Sequence, residues 1–358
     1  MKVSLQPMKV QNKYQFYITY KNGVKASAAS KPVIDTSKTL HKLGYQNYSL
    51  TFANDIKNLK FYFIVLLAFT RFFFQIKRNS IVATQFPITT VNYLFIYFIK
   101  LARLRGIKFI TIIHDINALR EQATEEAIQK EVKILSAYDG IVVHNETMEK
   151  WLAGNGLRKK VKTIPLIFFD YITPSEILHV THLGDLTNEI AFAGHLAKSK
   201  FVYSLDNIKN WKFNIYGGDF DLQKSRNINT VWKGEFSPDE VAYELEGSFG
   251  LVWDGTETSD LQKCRFGNYM YYNNPFKFSL YLAAGLPVIA PASAAIAKTI
   301  EKYNIGFLIN SLADLDEIVI NKEEYAEMKN KVKAIQKDII AGNFLHKAVT
   351  SLEELIEG

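Results

Sequence analysis

The chemistry in this 358-residue chain concentrates in a few short stretches. The most telling runs from Tyr272 to Ile289: polar Tyr272, Asn273 and Asn274, then Pro275, an apolar-spaced segment Phe276–Ala284, Gly285, Pro287 and strand-like Val288 and Ile289. Proline suits the first turn of a helix and glycine can end one in a left-handed cap. The stretch therefore predicts a polar loop, a helix, a turn and a strand. The start of that helix would aim free backbone N–H groups, with Lys277 in its first turn, at whatever fills the space before it. Amides and a lysine so placed make an anion site, most naturally for a diphosphate.

Other candidates sit where predicted strands end. Gly194 follows Glu189–Ala193 and lets backbone approach a phosphate closely. Lys198, a few residues on, is a second positive charge able to offset a departing diphosphate. Ile215-Tyr-Gly-Gly218 ends another strand, where Gly217 leaves room for a base or ribose. Asp254, in Trp253-Asp-Gly255, is a strand-end carboxylate able to accept from hydroxyl donors of a ligand. His114 and Asp115 close the strand Phe109–Ile113, and a carboxylate there is a candidate general base for a hydroxyl in an inverting transfer, or a group that only positions substrates in a retaining one. Gln85, in Gln85-Phe-Pro87, ends the preceding strand on the acceptor side.

Positioning these groups requires short apolar runs alternating with longer amphipathic ones, the pattern of parallel sheets wound with helices. Strands are expected at Tyr14–Tyr20, Tyr48–Phe52, Ser80–Gln85, Lys108–His114, Gly140–His144 and Thr163–Ile167. A second series follows at Glu189–Ala193, Phe213–Tyr216, Thr230–Trp232, Phe249–Val252, Pro287–Ala290 and Gly306–Leu308. Helices are expected at Ser37–Leu43, Ile56–Lys77, Val91–Arg105, Glu121–Ala137 and Thr147–Asn155, then at Val202–Ile208, Pro238–Leu245, Phe276–Ala284, Ser293–Tyr303 and Lys322–Ala341. The reading is an α/β chain of two Rossmann-like doubly wound domains facing across a cleft. Residues 1–170 form the first domain, 171–186 a linker and 187–341 the second domain. Residues 342–358 form a C-terminal helix that packs back on the first domain. Strand-end loops of such domains carry the ligand.

Composition narrows the partners. A chain 48% hydrophobic and 22% charged is neither disordered nor a polytopic membrane protein. The single cysteine, Cys264, excludes a disulfide scaffold and a Cys-based zinc site and suits a reducing, cytoplasmic compartment. Met1–Lys13 lacks the apolar core of a signal peptide. Of the +7 net charge, residues 1–170 carry 25 basic against 11 acidic side chains, and the remainder is acidic. A basic first half implies an anionic partner there; nucleic acid is not expected, since only charge would recommend it. Asp219-Phe-Asp221 has the D-x-D form of a metal motif, yet it is a weak motif in a loop, and no metal and no cofactor is expected. Neither a dinucleotide nor a P-loop glycine pattern occurs. The run Phe61–Phe74 is the most apolar in the chain but too short, between Lys60, Arg71 and Lys77, to span a bilayer. With Asn92–Arg105 it suits either packing in a homo-oligomer or peripheral contact with the inner membrane face.

The Asn-Pro-x-Lys…Tyr-x-Ala-x-Gly-x-Pro-Val pattern of residues 274–288 resembles the C-terminal signature of GT-B nucleotide-sugar glycosyltransferases. Three further segments resemble a narrower bacterial group: Phe192-Ala-Gly-His-Leu-Ala-Lys198, Gly250-Leu-Val-Trp-Asp-Gly255 and His114-Asp-Ile-Asn-Ala-Leu-Arg120. That group contains β-1,6-galactofuranosyltransferases of capsule and exopolysaccharide assembly and the glucosyltransferase that extends N-acetylglucosamine on streptococcal serine-rich adhesins. The resemblance implies transfer of a hexosyl group, galactofuranose first and glucose second, from a UDP-sugar to a glycan hydroxyl without a metal. The acceptor would be carried on a lipid or a glycoprotein. It also implies nucleotide contacts from Gly194, Lys198, Gly217, Asn273, Asn274 and Lys277, a nucleobase contact from Glu235, and catalytic roles for Asp115, His114 and Lys277. Ser30–Asp35 resembles the Ser-Lys-Ala-Arg-x-Asp stretch of the galactofuranosyl group, which places Lys31 and Asp35 with Asp254 and Gln85 at donor sugar or acceptor. Two departures, Leu280 for a ribose-binding glutamate and His195 for an asparagine, leave open a non-catalytic GT-B partner subunit.

Overall fold

The computed structural model describes residues 12–20, 30–52, 59–88, 92–179, 186–224, 228–259, 261 and 264–357. The expected helix starts at Ile56 and Val91, most of Met1–Lys13 and residues 180–185 of the expected linker lie outside the described residues.

The first sheet holds β1 (Lys13–Tyr20), β2 (Gln46–Phe52), β3 (Ile81–Phe86), β4 (Lys108–Ile113), β5 (Gly140–Val143) and β6 (Lys162–Pro165) in the order β2-β1-β3-β4-β5-β6. The second holds β7 (Glu189–Ala193), β8 (Lys212–Tyr216), β9 (Thr230–Gly234), β10 (Phe249–Leu251), β11 (Val288–Pro291) and β12 (Gly306–Ile309) in the order β12-β11-β10-β7-β8-β9. Every pairing is parallel. The inner strands β3, β4, β5, β7, β10 and β11 are buried along nearly their whole length, which is why they read as continuous apolar runs, whereas the edge strands β6, β9 and β12 are only partly covered. In the second sheet the winding reverses between β7 and β10, so the crevice beyond their carboxyl ends is where a ligand seats.

On the first sheet lie α1 (Lys31–Lys42), α2 (Leu59–Gln75), α3 (Asn92–Arg103), a single turn α4 (Asn117–Arg120), α5 (Glu125–Leu135) and α6 (Glu146–Gly154). The second sheet carries α7 (Val241–Glu244), α8 (Arg265–Tyr269), α9 (Phe276–Ala283), α10 (Ala297–Tyr303) and α11 (Lys322–Ala341). The boundaries move where caps decide them. α1 begins six residues before the expected Ser37, because Pro32 occupies its first turn and lacks only an N–H that would be unbonded anyway. α5 begins at Glu125 rather than Glu121, because the Thr124 side chain accepts the Ala127 N–H. The helix expected at Val202–Ile208 is a short 3-10 turn at Lys200–Ser204. Among the described residues no helix is long and apolar enough to cross a membrane.

After α11 the chain turns at Gly342 (φ +85°) and α12 (Asn343–Glu357) crosses to the first sheet. Its Leu345, Ala348, Val349 and Leu352 cover Ile81, Ala83, Ile110, Ile112 and Val142. The Asp170 carboxylate caps it, accepting the Phe344 and Leu345 N–H groups at 3.1 and 2.8 Å.

Candidate functional site

A cavity of about 600 Å³ opens between the carboxyl ends of the two sheets. Gly194 and Gly217 line its C-domain wall in two adjoining turns. Gly217 has φ +142°, and a Cβ there would sit 2.0 Å from the Gly194 carbonyl oxygen, so no side chain fits between the turns. The Gly194 N–H bonds the Tyr216 carbonyl at 3.0 Å, which ties the loop after β7 to the end of β8.

α9 is aimed by a chain of fits. Gly250 in β10 leaves space for Tyr281, since a Cβ there would lie 2.1 Å from the ring. The Tyr281 hydroxyl in turn accepts the Ala193 N–H at 2.9 Å. The helix start, capped by Pro275, therefore faces the same cavity as Gly194. Gly285 turns out of it at φ +81°. The Lys277 ammonium donates to the Trp253 carbonyl at 2.7 Å and to Asp254 at 2.8 Å, and lies 4.7 Å from the centre of the Phe192 ring. An ammonium has three donors, and these partners use two. Lys198 lines the same wall, exposed, its charge 5.4 Å from the Phe266 ring. Asn273 also lines it, and its side-chain oxygen is buried without a hydrogen-bond partner. Leu280, His195, Asp219 and Glu235 complete this side, with Glu235 packed against Gly218.

Across the cavity stands Asp115. Arg120 bonds its carboxylate at 2.7 Å, and the Tyr269 hydroxyl donates to it while accepting the Ile116 N–H at 3.0 Å. Burial prevails over both and holds the Asp115 pKa above the usual carboxylate range. Arg120 and Tyr269 line the cavity beside it, with Tyr171 further along.

Several residues expected at the site lie elsewhere. His114 does not line the cavity: its Nε2 bonds the Gln85 side-chain oxygen at 2.7 Å and its ring stacks on Phe169. Burial lowers its pKa to about 4, so it is neutral. Gln85 also stays outside, spent on His114 and on the Val33 carbonyl at 3.1 Å. Asn274 is a joint between domains. It is 4% exposed, donates to the carbonyls of His144 and Ile167, accepts from Asn145, and gives its backbone N–H to His144 Nδ1. Its backbone N–H and both side-chain N–H donors are therefore spent inside the joint, leaving no donor for a phosphate. Lys31 and Asp35, 3% and 2% exposed, pair with each other at 2.9 Å behind the Tyr171 ring. Lys31 also donates to the Ile172 carbonyl at 2.6 Å and pairs with Asp239 at 3.1 Å, and Asp35 accepts the Ile172 N–H at 3.0 Å. The pair fastens α1 to the segment joining the domains instead of reaching a sugar.

The sequence signal for Arg120 was present, as the last residue of the His114–Arg120 stretch. Tyr269 carried none: it belongs to the second half of the chain yet packs in the first domain's core. Among the described residues no group of three His, Cys, Asp or Glu side chains could hold a metal ion. Asp221 of the D-x-D pattern is half-buried and paired with Lys224 at 2.9 Å.

Two wound sheets with a cavity between their carboxyl ends make the GT-B fold, and solved structures of that fold superpose on it. HepE of Anabaena, solved with UDP and glucose, superposes with a TM-score of 0.59 over 96% of this chain and 100% of its own, at 12% identity. WaaG, a glycosyltransferase of lipopolysaccharide biosynthesis, gives 0.54 over 95% and 99%, at 11% identity. The families Glucosyltransferase 3-like, N-terminal domain and C-terminal domain match residues 15–166 and 190–352. The β-1,6-galactofuranosyltransferase WbbI of Escherichia coli (strain K12) is 30% identical over 71% of this chain and 73% of its own. Glucosyltransferase 3 of Streptococcus gordonii is 26% identical over 70% and 72%. The chain belongs to the Glucosyltransferase 3-like family of glycosyltransferases, the group its motifs resemble.

Proposed function

We propose that the chain transfers a hexosyl group from a UDP-sugar to a glycan hydroxyl, with galactofuranose the first choice of sugar and glucose the second. One observation carries the reading: glycine turns, the start of α9, Lys198 and Lys277 converge on one wall of a cavity whose other wall presents Asp115. The relatives supply the substrate class, since WbbI is named for galactofuranosyl transfer and HepE was solved with UDP.

The diphosphate sits against Gly194, Gly217 and the first amides of α9. Lys198 and the third N–H of Lys277 offset the charge that grows as the C1–O bond to UDP breaks. Two lysines so placed supply that positive charge without a metal. Asp254, oriented by Lys277, accepts from hydroxyls of the sugar. Asp115 takes the acceptor's proton as its oxygen bonds to C1, and the raised pKa matches it to that task. Arg120 and Tyr269 hold the carboxylate in place. The glycan enters from the first domain, on a lipid or glycoprotein carrier.

A panel of UDP-, GDP- and dTDP-sugars, scored by thermal shift and by nucleotide release, tests this. A ligand bound only by the folded protein raises its apparent stability. Stabilisation by UDP with UDP release from one donor is expected. Lys277→Met and Lys198→Met should each lower turnover by roughly one to three orders of magnitude. Near-normal turnover in both defeats the diphosphate site. UDP binding with no release from any donor assigns the chain a non-catalytic role.

A further inference from the structure

We infer that the outer face of α2 and α3 docks on an anionic lipid surface, a property independent of the proposed transfer. The two helices lie side by side, locked by Phe69 and Phe72 against Phe95 and Phe98, with ring centres 5.1–5.8 Å apart where they touch. Their inner faces satisfy the core. Their outer faces do not: Phe63 is 61% exposed, Leu67 54%, Phe74 75%, Tyr97 68% and Leu104 83%. Phe63, Leu67 and Phe74 recur at helical spacing along α2, as do Tyr97 and Leu104 along α3 and the turn that follows it, so neighbouring elements each expose an apolar stripe.

The charge around the patch selects the occupant. Residues 56–114 contain nine Lys and Arg and no Asp or Glu. Arg103 is taken up by Asp139 at 2.6 Å and Arg105 by the carbonyls of Phe73 and Ile76. Arg71, Lys77, Arg78 and Lys100 remain exposed, and among the described residues no ion pair engages them. A second copy of this chain would set like charges against each other across such a face. A bilayer of anionic headgroups would meet the lysines and arginines while its acyl boundary takes the aromatic and leucine side chains. Neither helix is able to cross the bilayer, so the contact lies in the interface.

The test is sedimentation of the full chain with vesicles of phosphatidylcholine alone, and of phosphatidylcholine and phosphatidylglycerol in equal parts. Binding to the anionic vesicles only, weakening with salt, is expected. Arg71→Glu with Lys100→Glu should weaken it at least about twenty-fivefold, at roughly fivefold for each positive charge lost near the surface. Phe63→Ser with Leu67→Ser should weaken it roughly tenfold or more. Lys159→Glu with Lys160→Glu, an equal change of charge at exposed residues between α6 and β6, should leave it unchanged. Equal loss in that control, or no binding by the unaltered chain to either vesicle, overturns the proposal. So does a change of oligomeric state in the Phe63/Leu67 variant without a change in lipid binding, which assigns the face to a second copy.

Discussion

Replacing Asp35 by alanine separates a structural role from a sugar-binding one. The carboxylate meets the Lys31 ammonium at 2.9 Å and accepts the Ile172 N–H at 3.0 Å, and both side chains are all but sealed from water. Without it Lys31 keeps the Ile172 carbonyl and Asp239, whose side chain is 77% exposed and therefore screened. Stripping one partner from a buried pair costs about 3–5 kcal/mol, because the remaining charge is left uncompensated. Over a chain of 358 residues, with an unfolding entropy of about 2.1 cal/mol/K per residue, that lowers Tm by roughly 4–7 °C. Lys31→Met with Asp35→Leu removes both charges and should recover most of the loss, since well-packed apolar side chains replace buried pairs at little cost. Differential scanning calorimetry reads stability, and UDP release read well below the melting transition gives activity. An Asp35→Ala protein that melts with the parent but has lost turnover would refute the reasoning and return the pair to the substrate.

Gly217→Ala should abolish stabilisation by UDP in the thermal-shift assay, because the added methyl would lie 2.0 Å from the Gly194 carbonyl oxygen; undiminished stabilisation contradicts the back-to-back turns. Asp115→Asn should lose at least a hundredfold in kcat with little change in UDP affinity, and equal loss in both would make Asp115 part of the nucleotide site. His144 is held neutral, with its pKa lowered to about 3 by burial, while in the unfolded chain it titrates near 6.5. The unfolded state therefore takes up a proton that the native state refuses, and stability falls by about 1.4 kcal/mol per pH unit as pH drops below about 6.5. His144→Gln should flatten the pH dependence of the unfolding free energy, measured by urea titration, by that amount, and an unchanged slope would show that His144 does not contribute.

The inner strands were legible because burial on both faces leaves an unbroken apolar run; Glu189–Ala193 falls where its pattern placed it. The C-domain wall was legible for a related reason. Glycines beside strand ends, and a Pro–Lys pair opening a helix, are local devices with local signatures. Pairings between distant segments were not. Lys31 and Asp35 are spaced like ligands, yet their partners Ile172 and Asp239 lie far along the chain. Asn274 and His114 have residue types that suit a site but were claimed by neighbours that only the packed domains supply. Tyr269 is the converse: it holds Asp115 from the far half of the sequence, and no spacing rule connects them.

The path of α12 bears on how the protein comes into being. On one side of the first sheet this late helix, through Leu345, Ala348, Val349 and Leu352, shares the cover with Leu40 of α1 and with Tyr45. On the ribosome, Ile81, Ala83, Ile110 and Ile112 must wait for the entire second lobe to be translated before the rest of their lid arrives. The lobe made first is thus finished last, and a fragment cut between the lobes would be born with a partly bare apolar flank and need a chaperone to stay dispersed.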